Sequence, residues 1–169
     1  NDILTSSFNA AEWEAKGYEL PKYDIKAVAA KTYEEPTWVH FGAGNIFRAF
    51  TAAVLNDVLN SGKYDRGIVV AETFDYEIID KAYRAYDNLC LSVTLKSEGS
   101  IDKVVVASMA ETLKMDPAEP DYARIREVFQ APSLKMASFT ITEKGYNVKG
   151  ADGAFYPAIE ADFAAGPEK

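Results

Sequence analysis

Trp38-Val39-His40-Phe41-Gly42-Ala43-Gly44-Asn45-Ile46-Phe47-Arg48 is the stretch that decides the fold. Its first four residues form a short apolar run of strand length, Gly42-Ala43-Gly44 stops it, and from Ile46 to Leu59 apolar residues recur at helical spacing. The helix ends at Asn60-Ser61-Gly62, where a glycine takes a left-handed C-cap, and Ile68-Val69-Val70-Ala71 is a second apolar run of strand length. Strand, glycine turn, helix and strand make one βαβ unit.

Upstream, residues 1–36 carry Phe8, Trp13, Tyr18, Leu20, Tyr23 and Tyr33 at irregular spacing, with Pro21 and Pro36 as breakers. They read as an N-terminal arm lying across the domain that residues 37–169 build. Downstream, Tyr76 to Tyr86 suits a helix with one buried face, and Leu89 to Leu95 alternates with period two before Val104-Val105-Val106, which predicts a hairpin. Asp116-Pro117-Ala118-Glu119 has the acid, proline and later glutamate of a helix start, continued from Tyr122 to Phe129. A further strand is predicted over Met136 to Thr142. Strands alternating with helices imply an α/β layer with a mainly parallel sheet, modified by a β-hairpin insertion.

The composition narrows the classes. Eighteen basic against twenty-six acidic residues give a formal charge of −8, which repels nucleic acid and anionic membrane surfaces. Cys90 is the one cysteine and His40 the one histidine, so a disulfide within the chain and a cysteine or histidine metal cluster are both excluded. Without an export signal or a membrane-length apolar run, a cytoplasmic location is expected.

In a dinucleotide site of this type the first glycine permits the tight turn, and the second lets a pyrophosphate approach the backbone. Free N–H groups and the helix dipole then offset its charge. Gly42 and Gly44 occupy those positions, with Ala43, Asn45 and Ile46 completing the cradle. The alternative is a strand-to-helix turn with no ligand. The third glycine of the usual pattern would fall where Phe47 stands, so helix and strand cannot meet there through a missing side chain.

Arg48, in the first helical turn, offers a fixed charge to a phosphate or a carboxylated substrate, or else a salt bridge to a surface acid. Glu72, at the end of the second strand, suits the hydrogen bonds of an adenosine ribose, with Asp75 competing and a solvated acid the plain alternative. Ser108 and Thr140-Ile141-Thr142-Glu143 lie near predicted strand ends, the edge at which open α/β sheets bind ligands. His40 reads as a packed strand residue, Cys90 as an inert small one, and Lys144 as a solvated lysine on a turn.

From Val39 to Phe50 the sequence resembles the opening of the mannitol dehydrogenase family, which includes mannitol, fructuronate, tagaturonate and mannitol-phosphate enzymes. Ala107-Ser108-Met109-Ala110-Glu111 resembles the strand and loop that follow that family's hairpin. Thr140-Ile141-Thr142-Glu143-Lys144-Gly145-Tyr146 resembles its T-I-T-E-x-G-Y motif. The resemblance implies a Rossmann-type dinucleotide-binding domain, with Ser108, Arg48 and Glu143 toward the nicotinamide or the substrate. It further implies NAD- or NADP-linked oxidation of a sugar alcohol, or reduction of a keto-sugar or keto-uronate.

NAD is expected over NADP, because Ala71-Glu72-Thr73-Phe74-Asp75 holds no cation for a 2′-phosphate. Many members carry histidines where this chain has Phe47 and Phe50, and the mannitol-phosphate branch has glycines where it has Phe47 and Ala49, so the subfamily stays open. The family's proton-transferring lysine, with its asparagine and histidine, belongs to a helical C-terminal domain. Those residues are expected beyond residue 169 of the parent chain, leaving here a partial domain. The competing expectation is a non-catalytic nucleotide-sensing or partner-binding module.

Overall fold

The computed structural model describes residue 4 and residues 8–167, apart from the side chains of Glu143 and Lys144. Ahead of the glycine turn come helix α1 (Ala10–Ala15), the two-residue strand β1 (Tyr18–Glu19) and helix α2 (Ile25–Glu34). Asn9 and Asp24 begin the two helices, their side chains accepting from the N–H groups of Glu12 and Ala27. Each cap satisfies a donor that the first helical turn leaves free. The βαβ unit follows as β2 (Trp38–Phe41), a helix that is π-helical over Phe47–Ala52 and regular over α3 (Ala53–Asn60), and β3 (Ile68–Glu72). Helix α4 (Tyr76–Ile78) runs on through a π-helical stretch, Ile79–Tyr83, and a 3-10 turn, Arg84–Tyr86. The chain then forms β4 (Cys90–Leu95), β5 (Ile101–Val106), β6 (Met109–Lys114), α5 (Asp121–Gln130), β7 (Met136–Phe139), a 3-10 turn over Glu143–Tyr146 and α6 (Pro157–Ala165).

The strands divide into two sheets. One is wholly parallel, with the order β6-β3-β2-β7; the other joins the antiparallel hairpin β4–β5 to β1, which runs parallel to β5. All five residues of β3 are buried, as a central parallel strand covered on both faces requires. On one face Val69 and Ala71 join Val39, Leu113 and the α5 residues Ile125 and Val128. On the other, Ile68 and Val70 join Phe47, Leu55, Leu59, Ile79 and Met109. The apolar run seen in the sequence thus divides, residue by residue, between two helical layers.

Residues read as an arm contribute to this body. Helix α2 buries Val28 and Thr32, and Thr32 Oγ1 accepts from the N–H of Gly67 at 2.7 Å, just ahead of β3. Asn56 on α3 accepts from the Tyr23 hydroxyl at 2.7 Å and from the Ala107 N–H at 3.1 Å, tying the N-terminal segment to the corner between β5 and β6.

One strand without an apolar pattern of its own and two boundaries distinguish the structure from the sequence reading. Strand β6 carries no clear apolar alternation, because Glu111 pairs with Arg124 at 2.8 Å and Thr112 binds Asn88 at 3.0 Å; polar partners replace apolar ones. Helix α5 starts at Asp121, five residues later than the acid-proline signal, since Asp116 instead closes a turn on the N–H of Ala118. Strand β7 stops at Phe139, and beyond it Thr142 accepts from Gly145 in a turn.

Candidate functional site

The parallel register aligns Phe41 with Ala71 and with Phe139, and Glu72 with Lys114. The turn after β2, the turn after β3 and the segment after β7 therefore leave the sheet along one edge, the carboxyl edge at which such sheets bind ligands.

Gly42 is demanded by the fold itself. Its φ is +107°, and a Cβ there would lie 2.7 Å from both the carbonyl oxygen and Oγ1 of Thr140. Its N–H donates to the Ala71 carbonyl at 2.9 Å, and the Thr140 N–H donates to the Phe41 carbonyl at 2.9 Å. Ala43 is fully buried; its N–H donates to Glu72 Oε2 at 2.7 Å and its carbonyl accepts from the Tyr83 hydroxyl at 2.7 Å. This corrects the expectation that Ala43 faces a phosphate, for both its backbone groups are taken inside the protein. Tyr83, within the segment from Tyr76 to Tyr86 that suits a helix with one buried face, pins the glycine turn. The signal was available in principle, since a tyrosine on a buried helical face needs a partner for its hydroxyl.

Gly44 stands differently. Its φ lies outside the left-handed region, and a Cβ added to it would meet nothing within 4 Å. Asn45 and Ile46 after it are exposed, Ile46 to 75%. Here the first turn of the helix presents N–H groups and the positive end of its dipole to open space. Phe47, at the place of the missing third glycine, is fully buried and stacks on His40 with ring centroids 4.2 Å apart. An aromatic ring, not a missing side chain, thus spaces helix from strand.

The π-helical turn that begins at Phe47 carries Arg48, whose guanidinium binds Asn45 Oδ1 and lies 5.5 Å from the Tyr83 ring centroid. Among the described residues no carboxylate pairs with Arg48, and its Nε is buried without a partner. Among the described residues, the salt bridge weighed from sequence is not formed. A cleft of about 230 Å³ lies beside it, between the start of this helix and Cys90–Val93 of β4.

Glu72 is 8% exposed, and its carboxylate is occupied from within. Oε2 accepts from Ala43, and Oε1 accepts from the N–H groups of Thr73, Phe74 and Asp75 at 3.0, 2.9 and 3.3 Å. It clamps the two turns together, with one backbone donor on Oε2 and three on Oε1. Asp75 is exposed and makes no capping bond. Lys114, opposite Glu72 on β6, is engaged by Asp80 at 2.8 Å and Glu119 at 3.6 Å.

Ser108 is not at this edge. It is fully buried beside the start of β3, where its carbonyl accepts from the Ile68 N–H at 2.8 Å and its hydroxyl donates to the Ala52 carbonyl at 2.6 Å. Strand β6 begins after Ser108, so the residue marks the amino edge of the sheet and not a strand end at the ligand edge. The Glu143 and Lys144 side chains lie outside the described residues; their backbone forms the 3-10 turn after β7. Cys90 is half-buried, and burial raises its thiol above the usual range, as suits an inert residue. His40 is 1% exposed, and burial lowers its pKa to about 4. A larger open groove, about 1100 Å³, is lined by Phe8, Tyr18, Tyr23, Asp57 and Asn60, toward the other end of α3.

No cluster of potential metal ligands occurs among the described residues, and no helix among them is long and apolar enough to cross a membrane.

The chain is similar to known oxidoreductases. It is 51% identical over 157 residues to a D-mannonate oxidoreductase of Thermotoga maritima, covering 93% of this chain and 29% of that protein. It is 31% identical to a Polyol:NADP oxidoreductase of Gluconobacter oxydans, covering 89% and 30%. The fold matches that of the Pseudomonas fluorescens mannitol 2-dehydrogenase ternary complex with NAD and D-mannitol, with a TM-score of 0.70, 23% identity and coverage of 93% and 32%. The chain thus spans about three-tenths of the length of the proteins it matches. The model of the mannitol dehydrogenase Rossmann domain matches residues 36–166, and the chain belongs to the mannitol dehydrogenase family.

Proposed function

We propose that the glycine turn binds the pyrophosphate of NAD, and that this chain is the dinucleotide-binding part of an oxidoreductase interconverting sugar alcohols and keto-sugars, or hexuronates and their reduced acids. The observation that carries this reading is Gly44. The fold requires glycine at position 42 but not at position 44, where a Cβ would meet no protein atom within 4 Å. A glycine that the backbone does not need is explained by a ligand that approaches it closely.

The residues present fit such a ligand. Gly44, Asn45 and Ile46 offer backbone N–H groups at a helix start, and Arg48 brings a guanidinium with no carboxylate partner among the described residues. Glu72 and Tyr83 hold the turn rigid before binding, which lowers the ordering cost. NAD is favoured over NADP because Asp75 is exposed at the ribose end, while the nearby Lys114 is already held by two carboxylates. A bound nicotinamide supplies the hydride acceptor or donor. The proton of the substrate hydroxyl is handled by residues of the parent protein beyond this chain, and the isolated chain is expected to be inactive. The 51% identity to a D-mannonate oxidoreductase favours a sugar acid as substrate.

The test is titration of the full-length protein with NADH, wild type beside Gly44→Val, together with turnover of mannonate and mannitol followed by nicotinamide absorbance. Loss of binding in the variant supports the site. Unchanged affinity overturns it, and binding without turnover of any polyol or sugar acid moves the protein to a nucleotide-sensing role.

A further inference from the structure

Between β2 and β7 runs a line of polar side chains that cofactor binding does not by itself explain. Trp38 Nε1 donates to Ser138 Oγ at 2.7 Å, and Ser138 Oγ lies 2.7 Å from His40 Nδ1. His40 Nε2 lies 3.0 Å from Thr140 Oγ1, and Thr140 Oγ1 lies 3.5 Å from the carbonyl oxygen of Gly42. The line starts inside the sheet and ends on the glycine turn. His40, the only histidine, is closed in by Phe47 stacked on its ring.

Donor and acceptor chemistry gives the line a direction. An indole nitrogen only donates and a carbonyl only accepts. Ser138 Oγ therefore accepts from Trp38 and has its own proton for His40 Nδ1. At the other end the Gly42 carbonyl calls for the Thr140 proton, so Thr140 Oγ1 accepts from His40. The Gly42 end selects the ring state with the proton on Nε2 and none on Nδ1, and the Trp38 end accommodates it, since Ser138 then donates its proton to Nδ1. The opposite tautomer would turn the Thr140 proton inward and leave the Gly42 carbonyl without it.

We infer that His40 is a positioning residue, held as the neutral Nε2–H tautomer so that it orients the Thr140 hydroxyl against the glycine turn and keeps the two ligand-facing turns, after β2 and after β7, in register. The close packing of Gly42 on Thr140 leaves that hydroxyl little other room: a Cβ at Gly42 would lie 2.7 Å from it. The low pKa agrees with a ring that stays neutral. The inference rests on the proposed dinucleotide site for its functional half, whereas the tautomer stands on geometry alone.

Two measurements test it. In the 15N-histidine-labelled chain the single imidazole gives an unambiguous pair of nitrogen signals; Nε2 in the protonated, pyrrole-like range and Nδ1 in the unprotonated, pyridine-like range is the expected result. The reverse assignment, or averaged signals, overturns the inference. In the full-length protein, Thr140→Val is expected to weaken NADH about 5- to 10-fold, the scale of one oriented hydrogen bond, and Thr140→Ser to restore it. Val binding as well as wild type, or Ser failing to restore binding in a protein of wild-type thermal stability, overturns the positioning role. Absence of NADH binding in the wild type would instead refute the proposed function, and the nitrogen signals would still decide the tautomer.

Discussion

Gly42 and Thr140, ninety-eight residues apart in sequence, are packed so closely that the missing Cβ of Gly42 is what lets strand β7 lie beside the turn after β2. The added carbon would sit 2.7 Å from two Thr140 oxygens, one of them backbone. Gly42→Ala is therefore expected to destabilise the chain by roughly 2–5 kcal/mol, from positive φ and from the clash together. Chemical denaturation measures this, and a loss below about 1 kcal/mol would show that β7 gives way easily.

Gly44→Val should behave in the opposite manner. No protein atom lies within 4 Å of the new Cβ, so stability should stay within about 1 kcal/mol of wild type while dinucleotide affinity is lost. Comparing unfolding and NADH titration in the same preparation separates the two effects.

Glu72 and Asp75 should divide into structure and selectivity. Glu72→Ala removes the acceptor for four backbone N–H groups, of which that of Ala43 is buried, and is expected to cost about 2–3 kcal/mol of stability. Asp75→Ala should leave stability within about 0.5 kcal/mol and narrow the preference for NAD over NADP roughly 10-fold, by removing like charge from the approach of a 2′-phosphate. Dissociation constants for both cofactors in both variants decide the matter. A silent Asp75 substitution would place the ribose elsewhere.

His40 carries a pH signature. Its pKa is about 4 in the folded chain because burial disfavours the charged ring, against an ordinary 6.5. The unfolded chain then binds more protons between those values, so stability contributed by neutral His40 is fully present above about pH 6.5 and falls as pH drops toward 4. His40→Asn should flatten the stability-versus-pH curve in that window. A slope equal to wild type between pH 6.5 and 4 would assign it to carboxylates.

Local patterning determined the βαβ unit. The run Trp38–Phe41, the turn, the helical spacing to Leu59 and the run from Ile68 all appear in the structure, because each depends on residues a few positions apart and on burial on two faces. The hairpin was legible for the same reason. Tertiary structure decided how β6 is held: it pairs with β3, buries Met109 and Leu113, and gives Glu111 and Thr112 the partners Arg124 and Asn88, a mixture that has no simple period. It also decided what each candidate faces. Asn45 and Ile46 open outward where the helix begins, while Ala43 and Glu72 close inward on each other. Ser108 falls at the far edge because strand direction, not nearness to a strand in sequence, sets which end of a sheet a residue occupies. A carboxylate at a strand end reads alike whether a ribose or four backbone amides will take it. Only the folded chain brings those amides to Glu72, and only there does Gly44 prove to be the glycine that the backbone could do without.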